Sequence, residues 1–260
     1  MKKTFKKTLD VTLDQETLAL NFGEALFYPE ETERRYLKDV RSSLLDPSAS
    51  GPEVLYNIAM DVGKKEHQQD LAQRSLLYGI VAYSDGKIGQ ELVRSQGHIH
   101  AVSASCNYST PEVYEIWQGE AYIYMQEFVD EDPGRCAVIK AQAGDIVIVP
   151  PNWAHYTVNA NQDEKMLFGA WCIRDFAFDY TQIREKQGLA FYPVVVNDQV
   201  NWIENQKYTP SELVIKDARE YPEFKLSQEN LYTQYEQNHS KFDFVTDPLS
   251  YQALWDNFQV

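Results

Sequence analysis

The sequence predicts a mainly β protein, a jelly-roll type barrel or sandwich with helical segments at both ends. Three observations carry this. From residue 54 to about 196, short apolar or alternating runs follow one another at roughly even spacing, separated by Gly, Pro, Asp and Asn. Helical periodicity is confined to the stretches before and after that region. The composition is that of one folded unit: 260 residues, 43% hydrophobic and 24% charged. Such a mix excludes wholesale disorder and suits one large domain or a core domain with extensions.

Taken in order, residues 1–28 read as short strands and connections. Residues 29–45 read as a helix: Tyr36, Val40 and Leu44 recur every four residues, Leu37 joins the stripe, and acidic and basic residues interleave. The run Asp46-Pro47-Ser48-Ala49-Ser50-Gly51-Pro52 ends it. The first long run is 76–83, followed by a hairpin-type turn at Ser84-Asp85-Gly86-Lys87. Further strand runs are 89–94, 112–117, 121–128, 137–141, 146–149, 155–159 and 166–173. After about 197 the chain is more acidic and more polar. Ser227 is placed to cap a short helix through Gln237. Asp247-Pro248 opens a helix over 249–258, whose face of Tyr251, Leu254, Trp255 and Phe258 should pack on the barrel or on a second subunit. The expected organisation is a segment 1–53 with one helix on the barrel, a barrel 54–196, and an extension 197–260 with short helices.

The charge is −15, from 24 Lys+Arg against 39 Asp+Glu. That acidity argues against nucleic acid or an anionic membrane as the main partner, while a local pocket can still take a phosphorylated ligand. No apolar run is long enough to span a membrane. The basic start Met1-Lys2-Lys3 has no apolar stretch behind it, so no signal peptide and a cytoplasmic location are expected. Cys106, Cys136 and Cys172 form no CxxC and read as three reduced thiols.

Of five histidines, three sit in two compact segments: Gly97-His98-Ile99-His100 and Pro150-Pro151-Asn152-Trp153-Ala154-His155. On an extended strand His98 and His100 point to one face and both can reach one ion. A distant histidine and a carboxylate would complete a mixed nitrogen and oxygen site for a divalent transition metal. The carboxylate comes from Glu112-Val113-Tyr114-Glu115-Ile116-Trp117, where Glu112 and Glu115 lie on opposite faces, so only one can serve. His67 reads as a solvated residue of a charged run, and His239 receives no role.

These segments resemble the cupin superfamily. Its first motif is HxH, then Glu, six residues and Gly; Glu112 with Gly119 fits and Glu115 does not. Its second motif runs here from Gly144 through Pro150-Pro151-Asn152 to His155 and Asn159, with Asn152 in the place of a turn glycine. More closely, Ser95-Gln96-Gly97-His98-Ile99-His100, Glu112-Val113-Tyr114 and Val149-Pro150-Pro151-Asn152-Trp153-Ala154-His155 resemble the cupin-type phosphoglucose isomerases, the family first associated with archaea. Arg34-Arg35, Val54-Leu55-Tyr56, Ile88-Gly89-Gln90-Glu91 and Asp179-Tyr180 match as well, so the likeness covers about 30–195.

The resemblance implies a cupin barrel and metal-dependent interconversion of glucose 6-phosphate and fructose 6-phosphate. It implies one divalent metal per chain on His98, His100, Glu112 and His155, with Fe2+ the first choice and Mn2+, Ni2+, Zn2+ or Co2+ the others. Glu112 would be ligand, base, or each in turn; Tyr114 would hydrogen-bond the substrate. Ser95 and Gly97 would hold phosphate, and Tyr56 and Tyr180 are carried over as pocket residues. A homodimer is implied too. Two departures stand out: residues 101–110 form an inserted loop, and Val81 occupies a position where the family tends to have a phosphate-contacting threonine. Val81 leaves open an isomerase of another sugar or sugar phosphate. A non-catalytic sugar- or metal-binding cupin is the reading from another class.

Overall fold

The computed structural model describes residues 7–260. The strands that build its centre are β1 (Glu33–Tyr36), β2 (Val54–Ala59), β3 (Leu76–Tyr83), β4 (Ile99–His100), β5 (Glu112–Gln118), β6 (Glu120–Gln126), β7 (Cys136–Gln142), β8 (Ile146–Val149), β9 (Ala154–Asn159), β10 (Met166–Ile173), β11 (Phe178–Asp179) and β12 (Leu213–Asp217). A six-stranded sheet has the order β8-β5-β10-β3-β2-β1, and a four-stranded sheet the order β9-β6-β7-β12. Side chains from both meet in one interior: Tyr83, Tyr114, Ile116 and Phe168 from the first, Ile123, Met125 and Ile139 from the second. This is the cupin barrel.

Alternation along β5 sets the rest. Tyr114 and Ile116 enter the interior, while Val113 and Trp117 face a second core on the outer side of the large sheet. The tail covers that core. Helix α1 (Leu231–Gln237) brings Tyr232 and Tyr235, and Phe242, Phe244, Trp255 and Phe258 follow. Trp171 of β10 is fully buried there, its ring 5.6 Å from Tyr232 and 5.3 Å from Phe242. With both faces covered, β10 reads as an unbroken apolar run. Tyr251 and Leu254 are partly buried against the same core. The tail's apolar face is therefore spent on its own barrel.

Several local expectations need correction. Residues 29–45 are not one helix. Glu33–Tyr36 pairs with β2 in the register Arg34 to Asn57 and Arg35 to Tyr56, and only Leu37–Val40 is α-helical before a 3-10 turn. The apolar stripe is real from Leu37 on, but the charged residues before it satisfy their backbone on the open edge of β2. Ser84-Asp85-Gly86-Lys87 is a turn, with Gly86 at φ +93, yet it closes no hairpin. β3 pairs with β2 and β10, and Lys87–Ile88 pairs with Glu91–Leu92 in a third sheet. The run 89–94 is a strand only at Glu91–Leu92. The helix expected from Ser227 starts at Leu231, because Gln234 holds both the N–H and the carbonyl of Ser227 in a loop. Asp247 caps no backbone N–H; it accepts from the Ser250 hydroxyl, and 248–256 is a 3-10 turn running into the helix Gln252–Asp256. Among the described residues no helix is long and apolar enough to cross a membrane.

Candidate metal centre

Three strands bring the site together. His98 forms a two-way bridge with His155 of β9, each backbone N–H donating to the other's carbonyl at 3.0 Å. His100 follows on β4, and Glu112 opens β5 on the neighbouring wall. The turn before β9 needs a left-handed residue, and Asn152 supplies it at φ +67. The ligand atoms of His98, His100, Glu112 and His155 all lie within 4.8 Å of one another. The imidazoles of His98 and His100 run nearly parallel, 5.2 Å apart, as same-face residues of an extended segment should.

The remote ring nitrogens decide what these imidazoles offer. His100 Nδ1 lies 2.8 Å from the Thr110 carbonyl, and His155 Nδ1 3.2 Å from the Trp153 carbonyl. A carbonyl only accepts, so both Nδ1 atoms carry the proton and both Nε2 atoms present lone pairs. Those lone pairs point at Glu112 Oε2, at 3.2 and 3.3 Å. His98 Nε2 is buried with no hydrogen-bond partner, and His100 Nε2 makes no well-formed hydrogen bond either. Electron-rich atoms converging in a buried space need a cation between them. Three imidazole nitrogens and one carboxylate oxygen suit a divalent transition metal.

The protonation states agree. Burial, then the charges of His155 and His100, hold the His98 imidazole well below its ordinary range. Burial likewise lowers His155, against the pull of Glu112. Burial would push the Glu112 carboxyl up, but the positive charge that His100 and His155 bring when protonated outweighs it and holds the group far below the carboxylate range; a cation among the lone pairs acts in the same sense. Neutral imidazoles and an ionised carboxylate are the forms that bind metal. Tyr114 donates its hydroxyl to Glu112 Oε2 at 2.8 Å, confirming that the two share a face. Glu115 points the other way, into the outer core.

The remaining predicted residues are nearby. Ser95 lies against β9, its Oγ accepting from the Thr157 N–H at 3.1 Å. Gly97 has φ +92, which a side chain would strain, and its open face abuts Leu189. Tyr180 stands 6.2 Å from the His98 ring. Tyr56 is buried, stacked on Tyr83 at 4.8 Å. Val81 is partly buried against the barrel interior. Three contributors were missed. Arg35 is ion-paired to Glu33 and stands close enough to Tyr56 and Tyr180 for their charges to couple; the helix expected over 29–45 hid its face. Phe178 covers His98 at 4.2 Å and His100 at 5.5 Å. Thr110, at the end of the inserted loop, sets the tautomer of His100. No local pattern marks the last two.

The family whose sequence model matches is described as Glucose-6-phosphate isomerase (GPI), over residues 37–211. That is more than half of the chain. This chain belongs to the glucose-6-phosphate isomerase family. Among relatives, a protein of Pyrococcus horikoshii named glucose-6-phosphate isomerase is 28% identical over 211 residues, covering 78% of this chain and 98% of its own. One of the same name from Pyrococcus furiosus is 30% identical over 141 residues, 54% of this chain and 69% of its own. Among solved structures, oxalate decarboxylase of Bacillus subtilis overlies 48% of this chain and 27% of its own at 17% identity and a TM-score of 0.35, too loose a likeness to bear on function. The family match stops at 211, so the tail that roofs the outer core lies beyond it.

Proposed function

We propose that this chain interconverts glucose 6-phosphate and fructose 6-phosphate, with one divalent metal per chain held by His98, His100, Glu112 and His155. The observation that carries the reading is the convergence of two aimed imidazole lone pairs, a third imidazole whose Nε2 is buried without a partner, and one carboxylate in a barrel of the isomerase family. A bound metal would polarise the sugar carbonyl and the neighbouring hydroxyl. The isomerisation itself moves hydrogen between two adjacent carbons through an enediol. Glu112 takes the proton from one carbon and returns it to the other, from its place at the mouth of β5 among the three imidazoles. Tyr114 holds Glu112 Oε2 and keeps the carboxylate turned toward the barrel interior. Arg35, ion-paired to Glu33 beside Tyr56 and Tyr180, supplies the cationic end for the phosphate, and Ser95 and Gly97 line the approach. Phe178 keeps water from the imidazoles.

Fe2+ is the first choice of metal, and Mn2+, Ni2+, Zn2+ and Co2+ take the same donors. Three free thiols support a reducing, cytoplasmic setting. The test is a coupled assay on a panel of hexose phosphates with chelator and with each metal restored. Turnover of glucose 6-phosphate that disappears on chelation and returns with metal is the expected result. Absence of turnover on any hexose phosphate with all five metals would overturn the reading.

A further inference from the structure

The barrel centre uses three of the five histidines. The other two, far apart in sequence, stand side by side with ring centroids 5.6 Å apart. His67 closes the 3-10 turn Lys65–His67, and His239 follows α1 in the tail. Neither is the solvated or idle residue that the sequence suggests. The His67 side chain is only 13% exposed and packs on Tyr232 and Tyr235. Around it, the ligand atoms of Glu66, His67 and Glu236 lie within 4.8 Å of one another. Among the described residues, the barrel centre is the one comparable group.

The surroundings hold His67 and Glu236 in place, while Glu66 reaches in from the solvent side. His67 Nδ1 sits 3.1 Å from the Tyr232 hydroxyl, which fixes the ring and leaves Nε2 toward Glu66. His239 Nδ1 lies 3.1 Å from Asp70 Oδ2, a carboxylate–imidazole pair of the kind that orients metal ligands. Lys64 engages Oε1 of Glu236 and leaves the second oxygen. Lys64 binds only Glu236, so the two carboxylates together keep a net negative charge beside the imidazole, with Glu66 on the solvent side.

We propose that Glu66, His67 and Glu236 hold a second divalent cation, which pins the tail to the barrel. One imidazole with two carboxylates suits Zn2+ or a similar transition metal better than Ca2+ or Mg2+, which take oxygen cages. Three protein ligands leave room for water, and the His239 ring stands beside that of His67. Glu66 and His67 lie within the family match and Glu236 beyond it, so the cation joins the shared barrel to the added tail.

The test is a Zn2+ titration of the chelator-stripped full chain, with bound zinc counted after dialysis and the melting temperature followed. Wild type should bind two Zn2+, the second raising the melting temperature. Glu236→Gln and His67→Gln should each bind one and lose that rise, and His98→Ala should lose the barrel ion but keep the other. Circular dichroism checks that each variant folds, and the conservative Glu236→Gln stands if His67→Gln does not. Wild type that binds one ion, kept by Glu236→Gln and lost by His98→Ala, overturns the proposal. So does Glu236→Gln that still binds two. A single ion lost by Glu236→Gln would instead leave the clamp standing and remove the barrel centre. Stoichiometry and melting temperature read the site whatever the barrel catalyses.

Discussion

Glu115 offers a stability test that does not touch the metal centre. Its Oε1 accepts the Leu231 N–H and its Oε2 the Trp117 indole N–H, both at 2.8 Å, so it ties β5 to the tail. Burial is the strongest influence and pushes its carboxyl up to about 7, against the opposing pull of those two donors. In the unfolded chain it titrates near 4.5. The folded state therefore keeps a proton that the unfolded state has lost, and this contribution is fully present only below about 4.5. It fades as pH rises and is gone above about 7. At 1.36 kcal/mol per pH decade, the part of that window above pH 5.5 is worth about 2 kcal/mol. Glu115→Gln keeps the shape and cannot titrate. Urea unfolding of both proteins from pH 5.5, safely above the isoelectric point near 4.7, to pH 8 gives the difference. Other groups titrate alike in both and cancel. The variant should gain on wild type by about 2 kcal/mol across that range. A difference that stays flat, or wild type gaining instead, would refute the reasoning.

Tyr114→Phe removes one hydroxyl bond to Glu112 and should lower kcat on the order of tenfold without unfolding the barrel, read by steady-state assay and circular dichroism. Arg94 is fully buried, bound to Glu91 at 2.8 Å and to the carbonyls of Ser43 and Ser95. Arg94→Ala strands the Glu91 carboxylate and should cost about 3–5 kcal/mol in urea unfolding; a loss under 1 kcal/mol would contradict that ledger. Light scattering at micromolar concentration should give a homodimer of about twice 30.1 kDa. The tail's apolar face is covered by its own barrel, so pairing must use another surface, and a strict monomer would end the expectation.

The site was more legible than the frame around it. His98 and His100 announce themselves because a two-residue period on a strand is a local property; the same alternation put Glu112 and Glu115 on opposite faces, and the family motif ending at Gly119 chose Glu112. Long strands such as Leu76–Tyr83 and Met166–Ile173 were legible because apolar runs buried on both sides have sharp ends. Residues 33–36 were not, since their strand exists only through β2 and their charges mimic helical pairs. The Ser84–Lys87 turn has hairpin chemistry, but which strands it joins depends on partners far along the chain. Arg35, Phe178 and the His67–His239 pair act through contacts between distant segments, and a linear pattern holds no trace of such contacts.

The central claim is that the barrel carboxylate, set among three histidines, performs the proton transfer. The most direct measurement is direct NMR of glucose 6-phosphate conversion by wild type and Glu112→Gln, with bound metal counted in both samples. Gln keeps the size and one oxygen, and the three histidines remain to hold metal. The account predicts wild-type formation of fructose 6-phosphate and a fall of at least ~10²-fold in turnover per bound metal in the variant. Equal turnover per bound metal in the two proteins would contradict it.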